Sequence, residues 1–272
     1  MIQKRVVVIG GGTGTYQVLV GLKKYPIEIS AVVAMSDSGG SSGRLRKEFS
    51  ILPPGDVRRA LLALSNLPLA RKTLEKLFNY RFQEGEGLKG HSLGNLLLAA
   101  LTQITGREDL AIKEAGRILA VSGFVYPVTL DKTNLVAVLR NGKRIYGETN
   151  IDLRWYGKKF AKIPIKKVYL SPRAKAYPEI KSAIREASLV VIGPGDLYTS
   201  IIPNLLVKGV NEALSTSVDT LGWYKKFHSE PVKNDVMEGG VRVIGGSFVT
   251  RGEFLRHDPA KLAKTIIKLL KE

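Results

Sequence analysis

The sequence contains no cysteine, so disulfides and thiolate metal sites are excluded, and a reducing compartment is the natural expectation. Histidine is almost as scarce, at three residues: His91, His228 and His257. No two stand four apart, so no metal site is expected. No apolar run reaches 18 residues, so no membrane span is expected. The N-terminus has no signal-like apolar segment, which gives a cytoplasmic expectation. Acidic residues are also few, 24 against 42 Lys and Arg, for a formal charge of +18. Such a balance attracts anions. The lysines are scattered, however, with no basic arm, so nucleic acid is an improbable partner.

What remains is the composition of a globular protein, 44% hydrophobic and 24% charged over 272 residues. A single α/β domain fits that length. RVVVIG, from Arg5 to Gly10, is a β-branched apolar run of the kind a strand buried on both faces requires. Glycines follow, then a helical pattern with Val18, Leu19 and Leu22, then a second apolar run, Ile29 to Met35. This βαβ order predicts a Rossmann-like, doubly wound, mostly parallel sheet. Between about 124 and 170 the apolar period turns towards two, and Asn141-Gly142 marks a hairpin; a small β-rich elaboration is expected there. Asp56 is read as the N-cap of the helix VRRALLALSNL, Ser92 as the cap of LGNLLLAALTQITG, and Asp258 with Pro259 as the start of the last helix.

Three glycine loops follow strand patterns. Gly11, Gly12, Thr13 and Gly14 lie between the first strand and helix, where bare backbone and a helix N-terminus suit a phosphate. The run is neither a Walker A loop nor a full G-x-G-x-x-G, and a tight turn without a ligand would use the same glycines. Asp37 ends the second strand, the place for a ribose-binding carboxylate or for a cap of the following loop. Gly39, Gly40, Ser41, Ser42 and Arg44 then offer backbone donors, hydroxyls and a guanidinium in a second anion-handling loop. The third loop holds Gly193, Pro194, Gly195, Asp196, Tyr198, Thr199 and Ser200. Loops after parallel strands converge at a topological switch point, which is the main argument for a ligand there. His91, Ser92 and Asn95 open a further helix, with Asn95 in its first turn. Arg256 precedes the last helix and supplies a cation for a phosphate, or an ordinary surface arginine.

The strings GGGTG, SDSGGSSGRLRKEF, LPPGDVRRALLAL, EGEGLKGHSLGNLLLAALT, GPGDLYTSIIPNLLVKG and FLRHDP together resemble the YvcK family of gluconeogenesis factors, relatives of the 2-phospho-L-lactate transferase CofD. The likeness runs along nearly the whole chain. It implies a cytoplasmic binder of UDP-sugars such as UDP-N-acetylglucosamine that influences carbon metabolism, cell shape and envelope synthesis. It also implies a regulator more than an enzyme, with an unidentified protein partner and a possible homodimer. The family's ligand loops map to Gly11–Gly14, Asp37, His91–Asn95, Gly193–Ser200 and Arg256, and Tyr224 resembles a tyrosine near the uracil end. One alternative is a CofD-like phospholactyl transferase, with Mg²⁺ offsetting the diphosphate charge. The other is an NAD-type oxidoreductase. Three departures stand out. Ser38 replaces a second aspartate after Asp37, Asp196 replaces serine in GPGSLYTS, and Ser215-Thr216-Ser217 runs directly into VDTLGWYKK where relatives carry a further strand and a glycine- and acid-rich stretch.

Overall fold

The computed structural model describes residues 3–66, 71–153, 163–215, 220–222, 241–243, 249–250 and 256–271. The expected βαβ start forms as β1 (Arg5–Gly10), α1 (Gly12–Leu22) and β2 (Glu28–Val33). Val6, Val7, Val8 and Ile9 are at most 1% exposed, as a strand covered on both faces demands. After α2 (Gly40–Phe49), α3 (Pro54–Leu64), α4 (Arg71–Asn79), α5 (Leu93–Thr105) and α6 (Glu108–Ile118), the chain returns as β3 (Phe124–Pro127). That strand pairs in parallel with β2, Ser30 opposite Phe124. It therefore belongs to the main sheet, whereas the change of apolar period placed it in the β-rich elaboration.

The elaboration is an antiparallel sheet of β4 (Asn134–Leu139), β5 (Arg144–Tyr146) and β6 (Ile165–Ser171), with the short helix α7 (Glu148–Leu153). Asn141-Gly142 turns the β4–β5 hairpin as predicted, and Gly142 takes φ 85°, where a β-carbon is disfavoured. One face of this sheet, through Leu135, Ala137 and Leu170, joins the main core.

After α8 (Pro178–Arg185), β7 (Leu189–Ile192) enters the main sheet on the far side of β1. A five-residue π-turn (Leu197–Ile201), α9 (Ile202–Leu205) and α10 (Val210–Leu214) follow. Two short parallel strands, β8 (Thr220–Gly222) and β9 (Val241–Val243), extend the sheet. The order is β3-β2-β1-β7-β8-β9, parallel throughout. A pair of two-residue strands, β10 (Val249–Thr250) and β11 (Arg256–His257), precedes α11 (Pro259–Leu269), which Asp258 caps by accepting from the Ala260 and Lys261 amides. α11 seats on α1 so tightly that a β-carbon at Gly21 would strike the Pro259 carbonyl.

This Rossmann-like α/β arrangement turns outward in both directions from β1. The chain winds from β1 to β2 and β3 on one side, and from β7 to β8 and β9 on the other. The switch point lies between β1 and β7, and their carboxyl-end loops meet there.

Candidate functional site

At the switch point the first and third glycine loops are in contact. A β-carbon at Gly14 would collide with the Pro194 carbonyl, and one at Gly10 would stand 3.6 Å from Gly193 Cα. Gly14 is therefore glycine because another main chain occupies the space a side chain needs. Asn204, fully buried on α9, fastens the two loops: its amide donates to the Gly10 carbonyl at 3.3 Å and to the Ser200 carbonyl at 2.7 Å. Nothing in the sequence pattern singled out Asn204; its signal is an amide placed four residues after Ser200 in an otherwise apolar segment.

The glycine run is less of a loop than it reads. Gly11 is the extended N-cap and Gly12, Thr13 and Gly14 form the first turn of α1. The Gly12 amide bonds to the Asp56 carboxylate, and a β-carbon at Gly11 would sit 2.6 Å from Asp56 Oδ2. Asp56 was expected to cap its own helix. Instead Pro53 is the N-cap of α3, Pro54 opens it, and Asp56 turns outward from the first turn to cap α1. Its charge is shared with Arg59 at 3.0 Å. Burial raises its pKa most, Arg59 and the Gly12 amide oppose this, and Asp37 adds to it.

The second stretch differs further from expectation. Gly40 through Arg44 are helical, the start of α2, with Gly39 as N-cap. Gly43 is there because a β-carbon would strike the Ser38 carbonyl, so its role is close packing and not flexibility. Asp37 Oδ1 accepts from the Gly39 amide at 2.9 Å and so caps this turn, while Oδ2 lies beside Gly55. Ser41 and Ser42 are buried, and Arg44 is exposed with Nη2 donating to the Lys89 carbonyl at 2.7 Å.

Beneath the rim runs a polar network. Arg58 Nε donates to Asn95 Oδ1 at 3.0 Å, and Asn95 Nδ2 donates to Ser41 Oγ at 3.1 Å and Ser42 Oγ at 3.5 Å. Ser41 Oγ stands 3.0 Å from His91 Nδ1. Ser41 Oγ keeps a second lone pair besides the one that takes the Asn95 proton, so the direction of the Ser41–His91 bond follows the ring tautomer. Burial and the nearby Arg44 and Arg81 lower the His91 pKa, so the ring is neutral near pH 7. Arg58 also donates to the Asn79 side chain, and burial depresses its pKa to about 10. His91, Ser92 and Asn95 are at most 3% exposed. Ser92 caps α5 as expected, and Asn95 occupies the predicted first turn, with its amide engaged inward.

In the third stretch Asp196 caps the π-turn. Its Oδ1 accepts from the Tyr198 amide at 3.0 Å, the Thr199 amide at 3.1 Å and the Thr199 hydroxyl at 2.9 Å. Serine and aspartate are both good caps, so the family substitution keeps the local geometry while adding a charge that the turn's own donors compensate. Gly193, Pro194 and Thr199 are buried; Gly195, Asp196, Tyr198 and Ser200 are half-buried along the rim. Arg256 lies in β11, its neighbour across the pair being Thr250. Tyr224 lies outside the described residues.

One component of the site came from the elaboration. α7 docks on the second loop: the Thr149 amide donates to Ser38 Oγ at 3.1 Å, and Thr149 Oγ1 donates to Glu148 Oε2 at 3.2 Å. Burial first, then the negative field of Asp37, raises Glu148 to about 7. A hollow of about 680 Å³ opens here between Gly39, Gly40, Tyr146 and Asn150. Among the described residues no group of three or more His, Asp or Glu side chains is placed to hold a metal ion. No helix of the described residues is long and apolar enough to cross a membrane.

The family model for 2-phospho-L-lactate transferase CofD matches residues 6–237. The chain belongs to the CofD family. Among relatives of this CofD-family chain, a gluconeogenesis factor from Halalkalibacterium halodurans is 50% identical over 219 residues, 80% of this chain and 65% of that protein. A putative gluconeogenesis factor from Nostoc is 47% identical over 213 residues, covering 78% of this chain and 45% of the relative. The chain thus spans less than two thirds of the length of these two relatives. The Bacillus subtilis gluconeogenesis factor is 37% identical over 323 aligned positions, covering 98% of both proteins. That span exceeds the 272 residues here, so part of the relative has no counterpart in this chain. A crystal structure of a UPF0052 family protein from Bacillus halodurans superposes with a TM-score of 0.82 at 37% identity, covering 98% of this chain and 99% of that one.

Proposed function

We propose that the β1/β7 rim binds the diphosphate of a nucleotide sugar of the UDP-N-acetylglucosamine class. On this reading the protein is a cytoplasmic ligand-sensing regulator of carbon metabolism, cell shape and envelope synthesis, acting through a protein partner. The observation that carries the reading is the contact between Gly14 and Pro194 at the switch point. It sets the N-terminus of α1 against the third loop, where a pyrophosphate is favoured by unpaired amides and the helix dipole. Asp56 takes the Gly12 amide, which leaves those of Thr13 and Gly14, with no intrahelical acceptor, for the ligand. The hollow beside Gly39, Gly40 and Asn150 is of a size to accept the sugar. Ser41, Ser42, His91, Ser92 and Asn95 then serve as the buried footing of the second loop and need not touch the ligand.

Among the described residues no metal cage is preformed, and no step is assigned to Mg²⁺. A second reading, a CofD-like transferase, gains from the family match and from Glu148: a buried carboxyl titrating near 7 is suited to take a proton from an acceptor hydroxyl. The oxidoreductase alternative gains nothing comparable.

Thermal shift against UDP-N-acetylglucosamine, GDP, NADH and duplex DNA tests the proposal. A ligand at about 100 times its Kd stabilises by about 2.7 kcal/mol, roughly 5–10 °C for a chain of this size. UDP-N-acetylglucosamine is expected to give the largest shift. A shift with GDP alone would move the assignment to the transferase reading, and one with NADH alone would end both.

A further inference from the structure

A second hollow, of about 860 Å³, runs along β6 of the small sheet, from the β4–β5 hairpin to the segment after Ser171, and shares no lining residue with the one beside the rim. Six cations line it: Arg144, Lys166, Lys167, Arg173, Lys175 and Lys208, with no carboxylate among the lining residues. The sheet register explains part of the crowding. Arg144 on β5 and Lys167 on β6 both pair with Val138 on the strand between them, so they project on one face. Lys175 and Lys208 are direct partners across an isolated parallel bridge, held by main-chain bonds of 2.9 Å. Like charges placed opposite one another across strands are unfavourable. None of the six forms an ion pair among the described residues. Asp131 reaches this segment, but its Oδ2 accepts from the Lys175 main-chain amide at 2.7 Å. One carboxylate beside six cations offsets their repulsion only in part.

The rest of the lining is apolar. Val138, Ala174 and Leu206 give it apolar surface, Leu170 borders it from the core side, and Tyr169 presents a ring. A concave space of this volume is of small-ligand scale, whereas a membrane or duplex surface meets a flatter or longer face. The geometry points to a second ligand site for a small organic polyphosphate: several phosphates for the cations and a ring for the apolar surface and Tyr169, the combination found in a nucleoside triphosphate. The six cations focus their field into the hollow and suit multiple phosphate oxygens. The site stands apart from the nucleotide-sugar reading and does not depend on it. It adjoins the rim through the chain itself, since Leu206 and Lys208 follow directly on the helix that carries Asn204.

Calorimetric titration of the whole protein with inorganic tripolyphosphate, ATP and AMP at low salt tests this site. The triple variant Lys167→Ala/Arg173→Ala/Lys208→Ala alters exposed side chains only, and Lys113→Ala/Lys264→Ala/Lys268→Ala removes equal charge elsewhere. The first triple is expected to weaken tripolyphosphate and ATP binding about tenfold or more, and the second by less than about twofold, with both melting as wild type. ATP is expected to bind more tightly than tripolyphosphate, and AMP least. Saturating UDP-N-acetylglucosamine is expected to leave tripolyphosphate binding in place. Equal losses in both triples would mean a diffuse charge effect, and displacement by the UDP-sugar would place the probe in the rim. A duplex oligonucleotide bound through the same three residues, with no tripolyphosphate binding, would make this a nucleic-acid surface. Each of those results overturns the assignment.

Discussion

Replacing Glu148 with glutamine isolates the electrostatic strain at the mouth of the site. In the folded protein this carboxyl titrates near 7, against an ordinary value of 4.5, because α7 withdraws it from water and Asp37 faces it with like charge. The unfolded chain releases the proton near the ordinary value. Between the two values the folded state holds more protons than the unfolded one, so stability falls as pH rises through that window. The penalty is absent below about 4.5 and complete above about 7. At about 1.4 kcal/mol per pKa unit its upper bound is about 3 kcal/mol, and partial exposure of the side chain reduces this to about 1–3 kcal/mol. Glutamine matches the protonated acid in shape and keeps an oxygen for the Thr149 hydroxyl. Urea unfolding of both proteins at pH 5 and pH 8 measures the effect. The variant is expected to exceed wild type by about 1–3 kcal/mol at pH 8, with the gap closing towards pH 5. A variant less stable at pH 8, or a gap independent of pH, would refute the reasoning.

Gly14→Ala is expected to destabilise by about 1–3 kcal/mol, as overpacking against a neighbouring main chain does, and to weaken UDP-N-acetylglucosamine binding in calorimetry. Gly142→Ala is its control: the same residue change at a turn with open space around it costs about 1 kcal/mol and leaves binding alone. Asn95→Ala leaves the buried Arg58 Nε without its acceptor, so the apo protein is expected to lose about 1–3 kcal/mol in urea melts. Asp196→Ser, which restores the family residue, is expected to keep the π-turn and the melting temperature within about 2 °C, because serine caps the same amides.

The sheet was legible because buried parallel strands leave continuous β-branched runs, as at Arg5–Gly10, and because glycines mark where those runs end. What the glycines do there was harder to read. At Gly43 and Gly14 the cause is a main chain arriving from elsewhere, Ser38 in one case and Pro194 in the other, and no local pattern contains that partner. The same limit explains Asp56. Its position before an apolar helix reads as a cap, but the amide it caps belongs to α1. β3 was assigned to the elaboration because periodicity reports strand character and not pairing partner. Glu148 and Thr149 escaped notice because they reach the rim only when the small sheet folds back onto the loop after β2. Asn95 was found through its helix position, yet the sequence could not say that its amide faces inward to Arg58 and Ser41.

Hydrogen exchange with and without saturating UDP-N-acetylglucosamine bears most directly on the central claim. Protection concentrated in residues 10–16 and 193–201, the two segments joined at Gly14 and Pro194, is the predicted result. Protection confined to other segments, or none at saturating ligand, would contradict it.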